Sequence, residues 1–276
     1  MVNSLNDALQ IAGMSDPGMV REHNEDSIFF DAAQGVVILA DGMGGYNAGE
    51  VASGMATSLL SAALTTAFTA TPPYETGANT GIPVAGRILQ EKVEETNLAV
   101  LHAAQTQPQC AGMGTTLVAA VFYDNRLTVA HIGDSRLYRL RGDDFSAITR
   151  DHSLLQEQID SGIITQEEAR YSQNRNLVTR ALGVEANVNT EINDFAVDVG
   201  DIYLLCSDGL NDMVDDEEIK MTVQTLSANL ELAATHLVQM ANDNGGRDNV
   251  SVILVRILKD FAAPAGWWTK VRTWFS

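Results

Sequence analysis

Three acidic residues, each set against an apolar run, constrain this chain more than any other feature. Gly35–Gly45 reads GVVILADGMGG, in which Val36 to Ala40 run straight into Asp41-Gly42 and then Met43-Gly44-Gly45. A short apolar run ending in a carboxylate and glycines reads as a buried strand that delivers one acid to a sheet edge. Ile202–Gly209, IYLLCSDG, repeats that grammar and ends in Asp208-Gly209. Asp248 sits just before a third strand, NVSVILVRI. Brought together, the three carboxylates would form an all-oxygen site, which selects Mg²⁺ or Mn²⁺ over zinc.

Composition narrows the field. The 276 residues are enough for one large domain or two small ones, and 45% hydrophobic content supports a sizeable core. A net charge of −19 argues against nucleic-acid binding, which needs a basic surface. Between Ala181 and Ile219 there are eleven Asp or Glu and no Lys or Arg. Such a run is either a solvated acidic face or charge partly neutralised by cations. The two cysteines, Cys110 and Cys206, are far apart, and Cys206 lies in an apolar strand. A disulfide framework is therefore not expected, and a reducing cytoplasm fits better. The N-terminus has no charged start followed by an apolar core, so no signal peptide is expected.

In chain order, strands are expected at Leu9–Met14, Ser27–Phe30 and Val36–Ala40, with Arg21, Asn24, Glu25 and Asp26 in the first connection. Val51 to Tyr74 carries no charge. Its Val51, Met55, Leu59, Leu60, Ala63, Leu64, Ala67 and Phe68 recur at helical spacing, with Ser53, Thr57, Ser58, Ser61, Thr65 and Thr66 on the other side. That pattern predicts an amphipathic helix lying on a sheet, in place of a membrane span. Residues 71–83 are a loop by composition, and Ile88, Leu89, Val93, Val100 and Leu101 predict a helix over Val84–Ala104. Thr115–Tyr123 and Leu127–Ile132 should form a hairpin through Asp124-Asn125-Arg126. Gly133-Asp134-Ser135 turns into a strand over Arg136–Arg141. The polar stretch 151–180 is expected to be a flap. Thr190–Val197 should pair with Ile202–Cys206 through Asp198–Asp201. Helices over Asp215–Leu226 and Leu230–Asn242 and a strand over Asp248–Ile257 follow. Strands and helices in runs indicate an α+β fold with antiparallel sheets and helices outside.

An Asp-Gly pair is by itself most often a turn, and the five scattered His suggest no zinc spacing. A dinucleotide loop is ruled out, because the third glycine of that motif would fall on Asn47 and its acid on Ala62. Several carboxylates together repel one another, and two divalent cations sharing an Asp would resolve that. Such a pair acidifies a trapped water and steadies an in-line displacement at phosphorus. Arg21, with its planar fork of donors, can clamp the phosphate.

Six motifs stand in order over roughly residues 10–257: Arg21-x-x-Asn24-Glu25-Asp26-Ser27, Asp41-Gly42-Met43-Gly44-Gly45, Gly114-Thr115-Thr116, Gly133-Asp134-Ser135-Arg136, Ser207-Asp208-Gly209 and Asp248-Asn249. Together they resemble the metal-dependent type 2C protein serine/threonine phosphatases, in their bacterial branch. The resemblance implies a central antiparallel β-sandwich flanked on both faces by pairs of helices, a four-layer αββα arrangement. It implies a catalytic domain over 1–258, a flap at about 151–180, and a separate tail over 259–276. It also implies two or three Mn²⁺ or Mg²⁺ ions. Asp41 would bridge two of them, the Gly42 carbonyl would bind the second, and Asp208 and Asp248 would hold the first. Asp134 would serve a third site, Asp26 would act through water, and Arg21 would bind phosphate. The expected reaction is hydrolysis of phosphoserine or phosphothreonine on proteins by a metal-bridging hydroxide. The enzyme would be a monomer opposing a Ser/Thr kinase. Animal members carry a His after Asp-Gly as proposed general acid. Met43 stands there instead, which leaves His152, at the flap's start, as a candidate proton donor.

Two rivals remain at this level: a weakly catalytic phosphoprotein-binding relative, and a metal-dependent nuclease, which the acidic charge disfavours. The tail, WWTKVRTWFS, would place Trp267, Trp268, Val271, Trp274 and Phe275 on one helical face beside Lys270 and Arg272. It reads as a helix docking on a membrane surface or a partner, peripheral to the inner membrane face, or as a face folded back on the domain.

Overall fold

The computed structural model describes residues 5–45, 48–77, 83–169 and 177–263. The aromatic tail and the middle of the flap segment lie outside them. The strands are β1 (Leu9–Asp16), β2 (Asp26–Asp31), β3 (Val36–Met43), β4 (Gly114–Thr115), β5 (Leu117–Tyr123), β6 (Arg126–Ile132), β7 (Arg136–Arg141), β8 (Asp144–Ala147), β9 (Glu191–Ala196), β10 (Ile202–Cys206) and β11 (Val250–Ile257). The helices are α1 (Ala48–Ala70), α2 (Ala85–Thr106), α3 (Leu154–Asp160), α4 (Gln166–Ala169), α5 (Asp208–Asn211), α6 (Asp216–Thr225) and α7 (Leu230–Asp243).

The strands form two antiparallel sheets. One runs β1-β11-β10-β7-β8; the other runs β2-β3-β5-β6-β9, with β4 added beside β3. Side-chain alternation along each strand then splits the core. Val37, Leu39, Phe122, Leu127, Tyr203, Leu205 and Ile253 fill the space between the sheets. Ile38, Leu60, Leu64, Leu89 and Val93 seal α1 and α2 onto one outer face. Leu204, Val252, Ile219, Leu230 and Leu237 seal α6 and α7 onto the other. The expected four layers are present.

Local chemistry sets the connections. Asp124 and Asn125 both take positive φ, 46° and 52°, the left-handed pair that closes a tight hairpin. Ser153 caps α3, Asn229 caps α7, and Asp215 with Glu218 forms a reciprocal capping box on α6.

Two expectations are corrected. Thr190–Val197 does not pair with Ile202–Cys206: β9 continues the second sheet beside β6, and β10 is a central strand of the first. The reason lies in the turn between them. The Asp201 carboxylate accepts both arms of Arg141, the Tyr203 hydroxyl and the Asp198 amide, which turns the chain from one sheet into the other. The buried face of α1 is also different. Val51 and Leu59 are exposed, whereas Ala52, Ser53, Ala56, Thr57 and Ser61 are buried with Leu60, Leu64 and Phe68. Small residues let the helix approach closely, and their hydroxyls are satisfied locally: Thr57 donates to the Ser53 carbonyl, and Ser53 to that of Glu25. Though long and apolar enough to cross a membrane, α1 lies on β2 and β3.

Phe122 is fully buried and meets Tyr203 of the opposite sheet edge-to-face at 5.4 Å. Phe122→Ala is expected to lower stability by about 3–5 kcal/mol in urea unfolding. A loss below about 1 kcal/mol would mean that the two sheets do not share this core.

Candidate metal and phosphoester site

The acids predicted from the strand ends meet at one end of the sandwich. Asp41 lies within β3, one rung opposite Asp26 of β2. Asp208 opens α5 directly after β10, and Asp248 stands just before β11. Asp134 occupies the turn between β6 and β7.

The backbone around Asp41 is clamped on both sides. Thr116 donates its amide to the Asp41 carbonyl at 2.8 Å and its hydroxyl accepts the Asp41 amide at 3.0 Å. The Thr115 hydroxyl also donates to that carbonyl, at 2.8 Å. This gives the Gly114-Thr115-Thr116 motif a positional role that its sequence alone did not reveal. Gly42 is required by crowding: a Cβ there would stand 2.1 Å from the Gly49 carbonyl oxygen and 2.6 Å from that of Glu25. Gly209 is required likewise, since a Cβ would lie 2.0 Å from the Asn249 carbonyl oxygen. The two glycines let three chain segments close on one another.

A polar network outside the expected site residues holds those segments. Ser207 donates to the buried Asp26 Oδ2 at 2.8 Å and accepts the Ser251 amide at 2.9 Å. Asn249 Oδ1 accepts the Glu25 amide, while its Nδ2 donates to the Pro17 and His23 carbonyls. Asn249 thus ties β11 to the Arg21–Asp26 connection. Its only sequence signal is adjacency to Asp248.

The electrostatics are those of a repelling cluster. Burial, then Asp26, Asp208, Asp134 and Asp248, push the Asp41 carboxyl well above the usual range. Burial, then Asp134, Asp212, Asp248 and Asp26, do the same to Asp208. Burial raises Asp26 to about 6 against its Ser251 and Ser207 hydrogen bonds, and burial with Asp151 raises Asp134 to about 6. Asp26 Oδ1 is buried without a hydrogen-bond partner. An all-oxygen cluster of buried acids with raised pKa values, one with a bare oxygen, fits hard divalent cations.

Arg21 is at the rim, half-exposed, and donates to Asp248 Oδ2 at 2.8 Å. His152 does not fit a proton donor for a leaving alcohol. Its amide donates to the Gly133 carbonyl at 2.7 Å, its Nδ1 accepts the Gly133 amide at 3.2 Å, and its Nε2 faces Glu191 and Arg180. Both ring nitrogens are engaged, and the ring anchors the flap base to the turn that carries Asp134. A cleft of about 960 Å³ opens beside Asp134 and Asp208, walled by Leu155 and Ile159 of the flap and by Asp212 and Asp215.

Comparison with known proteins places the whole fold among protein phosphatases. A family model described as Protein phosphatase 2C matches residues 20–245. The chain is 41% identical over 251 residues to the serine/threonine phosphatase stp of Listeria innocua, spanning 87% of this chain and 93% of that one. It is 39% identical over 251 residues to the serine/threonine protein phosphatase PstP of Mycobacterium tuberculosis, spanning 91% of this chain and 45% of that longer protein. The crystal structure of the M. tuberculosis phosphatase PstP/Ppp superposes with a TM-score of 0.82 at 37% identity, covering 91% of this chain and 100% of that one. The PstP catalytic domain in complex with two manganese ions superposes with a TM-score of 0.78 at 37% identity, covering 91% and 99%.

The raised acids fix the sign of the pH dependence. Asp26 and Asp134 hold protons to about 6 in the fold and to the ordinary 3.8 when unfolded. The folded state therefore binds more protons between those values, and stability falls as pH rises through that window. His131 and His152, both lowered by burial, act in the opposite sense, but the four raised acids Asp26, Asp41, Asp134 and Asp208 outnumber them. The melting temperature of cation-free protein is therefore expected to be higher at pH 5 than at pH 7, and Mn²⁺ should raise it more at pH 7. A cation-free melting temperature that climbs from pH 5 to pH 7 would contradict the cluster.

Proposed function

The chain belongs to the protein phosphatase 2C family, and from that premise we propose that it removes phosphate from phosphoserine and phosphothreonine of proteins by a metal-dependent hydrolysis at the Asp41 cluster. The observation that carries this reading is the convergence of acids on Asp41, whose carboxyl is raised by burial and then by the charges of Asp26, Asp208, Asp134 and Asp248. Asp41 with the Gly42 carbonyl, Asp208 and Asp248 would hold two Mn²⁺ or Mg²⁺ ions, with Asp134 serving a third. When bound, the cations supply positive charge and an acidified water for in-line displacement at phosphorus.

The chain's own residues have distinct tasks. Arg21 donates to the Asp248 carboxylate, which would also serve a cation, and its guanidinium fork has the donors to bind two oxygens of a substrate phosphate. Asp26, fixed through Oδ2 by Ser207, presents its unpaired Oδ1 as a proton acceptor for water. The domain is assigned to residues 1–258, acting as a cytoplasmic monomer opposite a Ser/Thr kinase. The free, buried Cys110 and Cys206 support a reducing compartment.

Phosphate release from a phosphothreonine peptide is expected with Mn²⁺ and not with excess EDTA. Asp208→Asn should lower turnover by at least ~100-fold while circular dichroism stays unchanged, because outer partners of a metal site alone account for ~10–100-fold. An unchanged rate in that variant would remove Asp208 from the site.

The aromatic and basic sequence Trp267–Phe275 supports a second, separate role, docking on an anionic membrane surface. Deleting residues 264–276 should release the protein from anionic vesicles and leave catalysis intact. Failure of the full chain to bind such vesicles would reject this.

A further inference from the structure

Away from the carboxylate cluster, a second group of ligating side chains is assembled on the β6–β9 rung. His131 of β6 faces Glu191 of β9 across their antiparallel pairing. His152, at the start of the flap, lies over His131 with ring centroids 4.7 Å apart and planes inclined by 31°. One ligand atom from each of His131, His152 and Glu191 lies within 4.8 Å of the others.

His131 is the unexplained member. It is 1% exposed, and neither Nδ1 nor Nε2 has a hydrogen-bond partner; the Ser135 backbone lies close without completing a well-formed bond. A buried imidazole with two bare nitrogens is unfavourable, because buried polar groups are otherwise almost always satisfied. Burial and the adjacent His152 push its pKa down to about 4, so at neutral pH it is uncharged and carries a free lone pair. Glu191 supplies negative charge, and its 40% exposed side chain opens a route to solvent.

We propose that His131, His152 and Glu191 form a binding site for a borderline transition-metal cation of the Zn²⁺ or Co²⁺ type, separate from the hard-cation cluster. Two imidazoles and one carboxylate are the donor set such ions prefer, whereas Mg²⁺ is poorly served by nitrogen. To bind one, the three atoms must close to the roughly 3.3 Å spacing that tetrahedral ligands at ~2.0–2.1 Å share.

Two neighbours must respond, and each gives the proposal a signature. His152 Nδ1 accepts the Gly133 amide at 3.2 Å, so its proton sits on Nε2, toward Glu191. Coordination through Nε2 moves that proton to Nδ1, and the Gly133 amide loses its acceptor. Arg180 is exposed and its guanidinium lies 3.3 Å from His152 Nε2. It must swing away, so it opposes the cation. The Gly133 amide is one residue from Asp134, which places the two metal sites on either side of one turn.

The test uses the full chain in saturating Mg²⁺, titrated with Co²⁺ and followed by visible absorption and by the Gly133 amide resonance. One Co²⁺ is expected to bind with the intense bands of a nitrogen-containing four- or five-coordinate site, and the Gly133 amide should shift. Glu191→Gln should weaken binding at least tenfold, His131→Gln should abolish it, and Arg180→Ala should tighten it severalfold. Glu191 and Arg180 are solvent-accessible, so those two variants test the site even where the buried His131 change prevents folding. Absence of the bands, or bands of equal strength in Glu191→Gln, would overturn the proposal, the latter by returning the Co²⁺ to the carboxylates. None of these readouts depends on phosphatase activity.

Discussion

Repulsion among buried carboxylates is the constraint on which the rest of this structure depends. Burial lifts Asp26, Asp41 and Asp208 first, and neighbouring charge adds to it: Asp26, Asp208, Asp134 and Asp248 act on Asp41; Asp134, Asp212, Asp248 and Asp26 act on Asp208; and Asp248 acts on Asp26. Left to itself such a cluster would push its segments apart. The scaffold resists with neutral hydrogen bonds placed just behind the acids. Thr115 and Thr116 grip the Asp41 backbone, Ser207 holds Asp26, and Asn249 joins three segments. None of these groups neutralises charge. They fix position and leave the charge itself for cations to balance.

The flap is attached to this frame at its base. Ser153 bridges Val178, and the Thr179 amide donates to the His152 carbonyl, so the two ends of the segment are joined. Arg136 binds Asp151 through both arms and donates to the Tyr138 hydroxyl, which in turn donates to Asp216 of α6. A partly buried ion pair of this kind contributes little net stability once desolvation is counted, but it specifies one geometry. Here it aligns the flap, the Asp134 turn and the acid-rich segment along one cleft.

Much of this was legible in the sequence, for a physical reason. Strand ends that carry Asp-Gly after an apolar run betray themselves because burial and close approach restrict which residues fit, as the crowding at Gly42 and Gly209 shows. The hairpin at Asp124-Asn125 was legible for the same kind of local reason. The pairing of β9 was not: its alternation suits any edge, and its partner is decided by the Arg141–Asp201 contact, which joins residues 60 apart. The buried side of α1 was also hidden, because a hydroxyl that bonds its own helix is as acceptable in a core as alanine. His152 stood as a candidate proton donor because sequence shows the residue and not its partners, the Gly133 amide on one ring nitrogen and Glu191 and Arg180 on the other.

The cluster is built to hold hard cations in place of protons. Calorimetric titration of Mn²⁺ into cation-free protein at pH 6, repeated in buffers of different ionisation enthalpy, tests this. At least two binding sites and net proton release are expected, since burial raises Asp26 and Asp134 to about 6 and pushes Asp41 and Asp208 the same way. Fewer than two sites, or binding with no proton released, would contradict it.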